Sequence, residues 1–311
     1  EDWIAETYAS RPIVAEAEQF IQDHKKDAFF LYCPFTEPHV AMHPPIKTVN
    51  RFPDSWDHAP YRGGNAYLPH PRPRAGYAAM IAELDDHVGR VVSAIKKAGL
   101  MDRTVIIFTS DNGGHKVNGK RFQSSGPLRG YKRDLTEGGI RVPLIVRGPS
   151  IKAGSVCRVP VAGYDFLPTF YELAGGKGDL SEELDGGSFV TLFSDPKTDS
   201  VKRPIDGLVF SRPRQGMAVI RTGQWKLLAK VNAKREIQSA KLFNVVEDIA
   251  EKLDLSATQA DKAKQLHTRL KTYLENVVDP SPTMKRRKNA EWLSSGRFPP
   301  AECEFDSNTN G

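Results

Sequence analysis

Cysteine is scarce in this chain, with Cys33, Cys157 and Cys303 the three among 311 residues. They form no Cys-x-x-Cys pair and suggest no disulfide framework, so the cysteines fix neither a stapled fold nor a compartment. Long apolar runs are missing too. No stretch approaches the roughly 20 residues of a membrane-spanning helix, and no membrane contact is expected. The basic run Lys285-Arg286-Arg287-Lys288 has no interleaved aromatics and belongs to no recognisable nucleic-acid module, so nucleic acid is not an expected partner. There is no internal repeat and no low-complexity tract, which excludes a solenoid.

What is present is ordinary globular material, 39% apolar and 26% charged. The length suits one large domain and one small one. A net charge of +6 fits a solvated basic surface, or one that steers a polyanionic substrate. Ile13, Val14, Ala17, Phe20 and Ile21 recur with a helical period between Arg11 and His24. Ala28 to Cys33 is a short apolar run ended by Pro34 and reads as a buried strand. Asn50 to Arg74 reads as a polar surface loop. Tyr77, Met80, Ile81, Leu84, Val88, Val91, Val92 and Ile95 mark a long amphipathic helix stopped at Gly99. Strands follow at Thr104 to Thr109 and Val142 to Val146, then a helix at Tyr164 to Ala174. This alternation predicts the α/β class over residues 1–200, a mostly parallel sheet covered by helices. Past a polar linker near Phe193 to Arg203 come shorter strands at Leu208–Phe210, Met217–Arg221, Trp225–Lys230 and Leu242–Val245. Thr222-Gly223 is the expected hairpin turn. A helix from Thr258 to Val277, striped by Leu266, Leu270, Tyr273 and Leu274, completes a small C-terminal antiparallel subdomain over 201–280. Residues 281–311 are expected to form a surface tail.

The chemistry concentrates between Thr104 and Pro149. TVIIFTSDNGG is a buried strand that stops at two adjacent oxygen donors, Asp111 and Asn112, and a glycine turn. Neighbours in a strand point to opposite faces, so both can reach one ion only where the strand ends. Gly113-Gly114 gives that freedom. Such donors suit Ca²⁺ or Mg²⁺; an Asx turn capping the strand is the alternative. GPLRGYKRDLTEGGIRVPLIVRGP sets Lys132 and Glu137 on a glycine-rich loop before the second strand. Two such ends side by side would place Asp111, Asn112 and Lys132 on one sheet rim, where open α/β sheets bind ligands. By residue type alone Lys132 could be a surface lysine, and Lys120, Arg121 and Arg133 are competing cations. Asp85-Asp86 lies mid-helix, where neighbours diverge by about 100°, and is no substitute carboxylate pair.

In order and spacing the two clusters resemble the sulfatase family of the alkaline-phosphatase-like superfamily. FFLYCPFTEPHVAMHPP (Phe29 to Pro45) is similar to that family's strand and histidine-bearing loop. Tyr77 to Leu100 is similar to its long helix, and RTGQWKLL (Arg221 to Leu228) to a strand pair of its C-terminal subdomain. The resemblance implies that Asp111 and Asn112 ligate Ca²⁺, Mg²⁺ being less expected, and that Lys132 contacts the sulfate. A compact ammonium suits a tetrahedral oxyanion. It also implies that His39 stands near the sulfate and the leaving group, where imidazole can donate a proton or a hydrogen bond. His115 would line the substrate entrance, or be polar surface; His43 is a weaker companion. The implied substrate is a small-molecule or carbohydrate sulfate ester, in a periplasmic or extracellular setting. A phosphodiester or phosphonate ester hydrolase of the same superfamily, or a non-catalytic polyanion-binding remnant, are the alternatives. Oligomeric state is not readable.

Members of the family carry a cysteine in a Cys-x-Pro/Ala-x-Arg context that becomes formylglycine, the nucleophile. CPFTE, CRVPV and CEFDS lack that context, and no serine stands in a matching one. The aspartate pair that completes the family's metal site has no counterpart either. The expectation is therefore the C-terminal part of a longer sulfatase, holding half a metal site and catalytically incomplete by itself. Glu137, Gly138 and Gly139 are expected to close their loop, Arg141 to pair with a nearby carboxylate, and Asp165 to organise a helix start. Trp225 and Tyr273 are expected in the core of the small subdomain.

Overall fold

The N-terminal helix α1 (Ser10–Asp23) buries Val14, Ala17 and Ile21, spaced to share one face. The structure, a computed structural model, describes residues 7–63, 68–115, 123–177, 180, 184–195 and 197–277. Lys120, Arg121, Cys303, the Lys285–Lys288 run and the tail lie outside the described residues. A one-turn helix α2 (Ile46–Val49) precedes α3 (Pro73–Lys97). Pro73 opens α3 without losing a hydrogen bond, because the first turn has no acceptor for its N–H. Lys96 and Lys97 end it beside the negative pole of the helix dipole.

The buried face of α3 keeps only part of the apolar stripe that the sequence suggests. It holds Ala75, Ala79, Met80, Glu83, His87, Ala94 and Ile95, whereas Ile81 is exposed. Ala75 and Ala79 leave room for Val49 of α2 to pack closely. Glu83 and His87 are buried because partners meet them. Thr48 donates to Glu83, and Ser10 of α1 donates to Glu37. His87 lies between the two carboxylates, 3.6 Å from Glu37 and 3.9 Å from Glu83.

The expected strand at Ala28 to Cys33 is not assigned as one. Its burial does alternate, with Phe29 and Leu31 packed on Ile21, Ala94, Ile95 and Leu100 while Phe30 and Tyr32 are exposed. No ladder partner pairs with it among the described residues, and alternation without ladder hydrogen bonds does not make a strand. Strands β1 (Ile106–Thr109) and β2 (Leu144–Arg147) pair antiparallel, Ile106 opposite Arg147 and Thr109 opposite Leu144. The sheet expected to be mostly parallel thus has an antiparallel pair here. A parallel return needs a crossover, usually a helix, and the described part of the connection holds only the one-turn helix α4 (Glu137–Ile140).

Helix α5 (Phe166–Leu173) starts behind Asp165, which is wholly buried. Arg203 grips both its oxygens, Nε to Oδ1 at 2.8 Å and Nη2 to Oδ2 at 2.7 Å. The N–H groups of Ala162 and Gly187 also donate to it, at 2.7 and 3.0 Å. Asp165 thus joins three segments as well as organising the helix entry.

The C-terminal subdomain is an antiparallel sheet in the order β3 (Leu208–Arg212), β4 (Met217–Thr222), β5 (Trp225–Val231), β6 (Ile237–Asn244), closed by α6 (Ala260–Asn276). The β4–β5 turn is Gly223-Gln224, one residue beyond the expected position, with Gly223 at φ 54° as a tight hairpin favours. One sheet face packs Ile220, Leu227, Ala229 and Leu242 against Leu266, Leu270 and Leu274 of α6, with Trp225 and Tyr273 at the margin. The ladder pairs Lys226 with Arg221 and with Phe243, placing all three on the opposite face. Leu270→Ala is expected to remove about 2–5 kcal/mol of stability. Ile81→Ala is expected to change it by less than about 0.5 kcal/mol. Denaturant midpoints would check both, and similar losses would restore the stripe suggested by the sequence.

Candidate active site

The end of β1 is pinned before its polar residues begin. Thr109 Oγ1 donates to the Pro143 carbonyl at 2.9 Å, and Ser110 Oγ to the Asn112 carbonyl at 3.3 Å. Asp111 is exposed and Asn112 half-buried beyond that point. Neither side chain makes a hydrogen bond to another described residue. Among the described residues, neither side chain closes an Asx turn.

The two polar clusters meet through their backbones. The Gly113 N–H donates to the Gly139 carbonyl at 3.0 Å, and the Lys132 N–H to the Gly114 carbonyl at 2.7 Å. Contact is so close that a Cβ on Gly113 would stand 2.0 Å from the Gly138 oxygen, and one on Gly138 would stand 2.2 Å from the Gly130 oxygen. Only glycine permits this approach. The turn bearing Asp111 and Asn112 is thereby fixed against the loop bearing Lys132, as side-by-side cluster ends would require.

His115 follows the glycine turn and is half-buried. Its pKa is held below the ordinary 6.5, first by burial and then by the positive charges of Lys132, His39 and Arg133. Lys132 and His39 are thus electrostatic neighbours of His115, although His39 lies 76 residues before it in sequence. Nδ1 of His39 contacts the Val40 carbonyl, and the ring is exposed. The ring of His43 lies 5.7 Å from that of His70.

Among the described residues, no group of three or more His, Cys, Asp or Glu side chains is placed to hold a metal. Asp111 and Asn112 offer two oxygen donors of the right chemistry, against the six to eight that Ca²⁺ takes. Glu137 and Arg141 behave as expected of structural groups, lying 3.8 Å apart. Sequence reasoning missed that Glu137 is fully buried against Lys226 and Arg221, and it did not single out Glu251 behind them. The Arg and Lys of RTGQWKLL were the available signal.

Because Lys132 disfavours a charged His115, Lys132→Met is expected to raise the His115 pKa part of the way back toward 6.5, burial still holding it down. An NMR titration of the imidazole protons measures this. An unchanged pKa would remove Lys132 from the neighbourhood of His115.

Comparison with known proteins shows the family. The Sulfatase family model matches residues 3–176, over half of the chain. Arylsulfatase J of Mus musculus is 30% identical over 268 residues, which cover 71% of this chain and 44% of that protein. A sulfatase of Formosa agariphila is 28% identical over 300 residues, 88% of this chain and 51% of that protein. The crystal structure of Ps i-CgsB in complex with k-i-k-neocarrahexaose superposes with a TM-score of 0.72 at 28% identity, covering 95% of this chain and 61% of that one. The chain spans about half the length of these two curated relatives. It belongs to the sulfatase family.

Proposed function

We propose that this chain supplies the metal-bearing turn and the sulfate-contacting side chains of a sulfate-ester hydrolase, acting on a sulfated carbohydrate. The observation behind this reading is the backbone junction of Gly113 and Gly114 with Gly139 and Lys132, which joins the turn bearing two oxygen donors to the loop bearing an ammonium group. Lys132 balances the sulfate charge as the S–O bond to the alcohol breaks. His39, when protonated, donates to the departing oxygen. His115, whose pKa burial and the neighbouring positive charges hold below the ordinary value, adds a hydrogen-bonding ring at the entrance. Asp111 and Asn112 would hold Ca²⁺, which when bound polarises a sulfate oxygen as a Lewis acid. The family resemblance implies formylglycine as the nucleophile. Because Cys33, Cys157 and Cys303 lack its context, attack on sulfur is assigned to no residue of this chain. The oligosaccharide in the Ps i-CgsB complex favours a carbohydrate over a simple aryl sulfate. No helix among the described residues is long and apolar enough to cross a membrane; a periplasmic or extracellular setting is part of the proposal.

Calorimetric titration of the chain with sodium sulfate, with and without CaCl₂, tests the reading. Lys132→Ala is expected to weaken sulfate binding by about ten-fold or more, the value of one charge-assisted hydrogen bond. Aryl-sulfate turnover by the chain alone, lost in Lys132→Ala, would show it to be catalytically complete. Hydrolysis of a phosphodiester but not of a sulfate ester would favour the other branch of the superfamily. Retention of sulfated polysaccharide with no effect of Lys132→Ala would leave a polyanion-binding role.

A further inference from the structure

Lys226 is fully buried in β5, an unusual position for an ammonium group. Its Nζ lies 3.0 Å from Glu137 Oε1 and 2.9 Å from Glu251 Oε1. Both carboxylates are also shut off from solvent. Arg221, on the neighbouring strand β4, reaches Glu137 Oε2 at 2.8 Å. The other oxygen of Glu251 accepts the backbone N–H of Glu137 at 2.7 Å, and Arg129 donates to the Glu251 carbonyl at 3.0 Å. Two negative charges therefore face Lys226 and Arg221. Glu137 is held at its amide and at both side-chain oxygens by the C-terminal subdomain.

Glu137 is the first residue of α4, and the next two residues touch the candidate site. Gly138 N–H donates to the Arg129 carbonyl at 2.7 Å, and Gly139 accepts the Gly113 N–H at 3.0 Å. A rotation or slide of α4 would move the Asp111–Asn112 turn and the Lys132 loop together, because all three backbones are in contact. We infer that Lys226, Arg221 and Glu251 of the C-terminal subdomain are positioning residues, which set the site's geometry through Glu137. A buried ion cluster is a poor source of net stability compared with apolar packing, but it fixes directions in a way that apolar packing does not. The consequence for sulfate binding rests on the sulfatase reading; the positioning itself does not.

Hydrogen–deuterium exchange on the whole chain tests the inference with Lys226→Met, which keeps the aliphatic stem and removes the charge. The Gly113, Lys132 and Gly138 amides are expected to exchange at least about ten-fold faster, while those of α3 and α6 change by less than about two-fold. Adding Glu137→Gln to Lys226→Met removes the surplus charge and is expected to restore part of the protection. Inorganic sulfate, the probe in a parallel titration, is expected to bind about ten-fold more weakly to Lys226→Met. Unchanged exchange at the three amides, or equal acceleration throughout the chain, would overturn the inference. If the unsubstituted chain binds no sulfate, the sulfate reading fails while the exchange pattern still decides the positioning. If Lys226→Met does not fold, Arg221→Gln leaves the Lys226 pairing in place and is expected to accelerate the same three amides selectively. A uniform or absent response there overturns the inference equally.

Discussion

The candidate site depends on a place where backbone meets backbone. At Gly113 and Gly138 a single added carbon would collide with a carbonyl oxygen, so nothing adjustable lies between the two segments. Side chains can change rotamer to absorb a small displacement, but two packed peptide groups sharing hydrogen bonds cannot. Asp111 and Lys132 each sit within a few residues of this junction. Their separation is therefore set by main-chain geometry, and the side chains add only local reach.

Such a junction needs support from behind, and loops rich in polar residues and glycine cannot supply it by apolar packing. Buried carboxylates provide it instead. Glu137 ties the junction to the C-terminal sheet, Asp165 ties the start of α5 to Gly187 and Arg203, and Glu37 ties the His39 loop to α1. The same Glu37, together with burial, raises the pKa of Tyr8. Each carboxylate is costly to strand, since removing the partner of a buried charge loses about 3–5 kcal/mol. Replacing such a cluster by apolar groups is often neutral. The clusters thus act chiefly by tolerating one arrangement, which suits segments that must hold oxygen donors and cations at fixed separations.

The readable parts of the fold are those whose cause is local. The strand end at Asp111, the glycine turn and the α6 stripe of Leu266, Leu270 and Leu274 all follow from neighbours in sequence. The face of α3 does not, because Glu83 and His87 are buried by Thr48 and Glu37, from segments with no helical register to α3. Lys226 misleads for a related reason. In an alternating strand with Leu227 on the helix-covered face, a lysine at the next position reads as solvent-facing, as on most antiparallel sheets. Here the second face is covered as well, and Lys226 meets Glu137 from 89 residues away. Helix–strand alternation suggested a mostly parallel sheet, but it does not fix the direction of β1 against β2, whose connection holds one turn of helix among its described residues. The sequence brought His39 to the neighbourhood of Lys132 and His115 only through a family resemblance. The structure supplies a physical link in the field that the other two exert on His115.

That field also shows why net charge says little about the site. The chain carries +6, but Lys226 and Arg221 are spent against Glu137 and Glu251 and are screened from solvent by their own partners. They add little to any potential that a substrate anion would meet. Lys132, His39 and Arg133 are among the charges that act on His115, and their influence outward decays over about 8 Å at physiological salt. On the proposed reading, attraction of an anion is a property of the rim, set by loop residues near the glycine junction. The larger number of cations elsewhere contributes to solubility and packing. The same residue types serve both purposes, and only the carboxylates that surround them distinguish a clamp from a binding site.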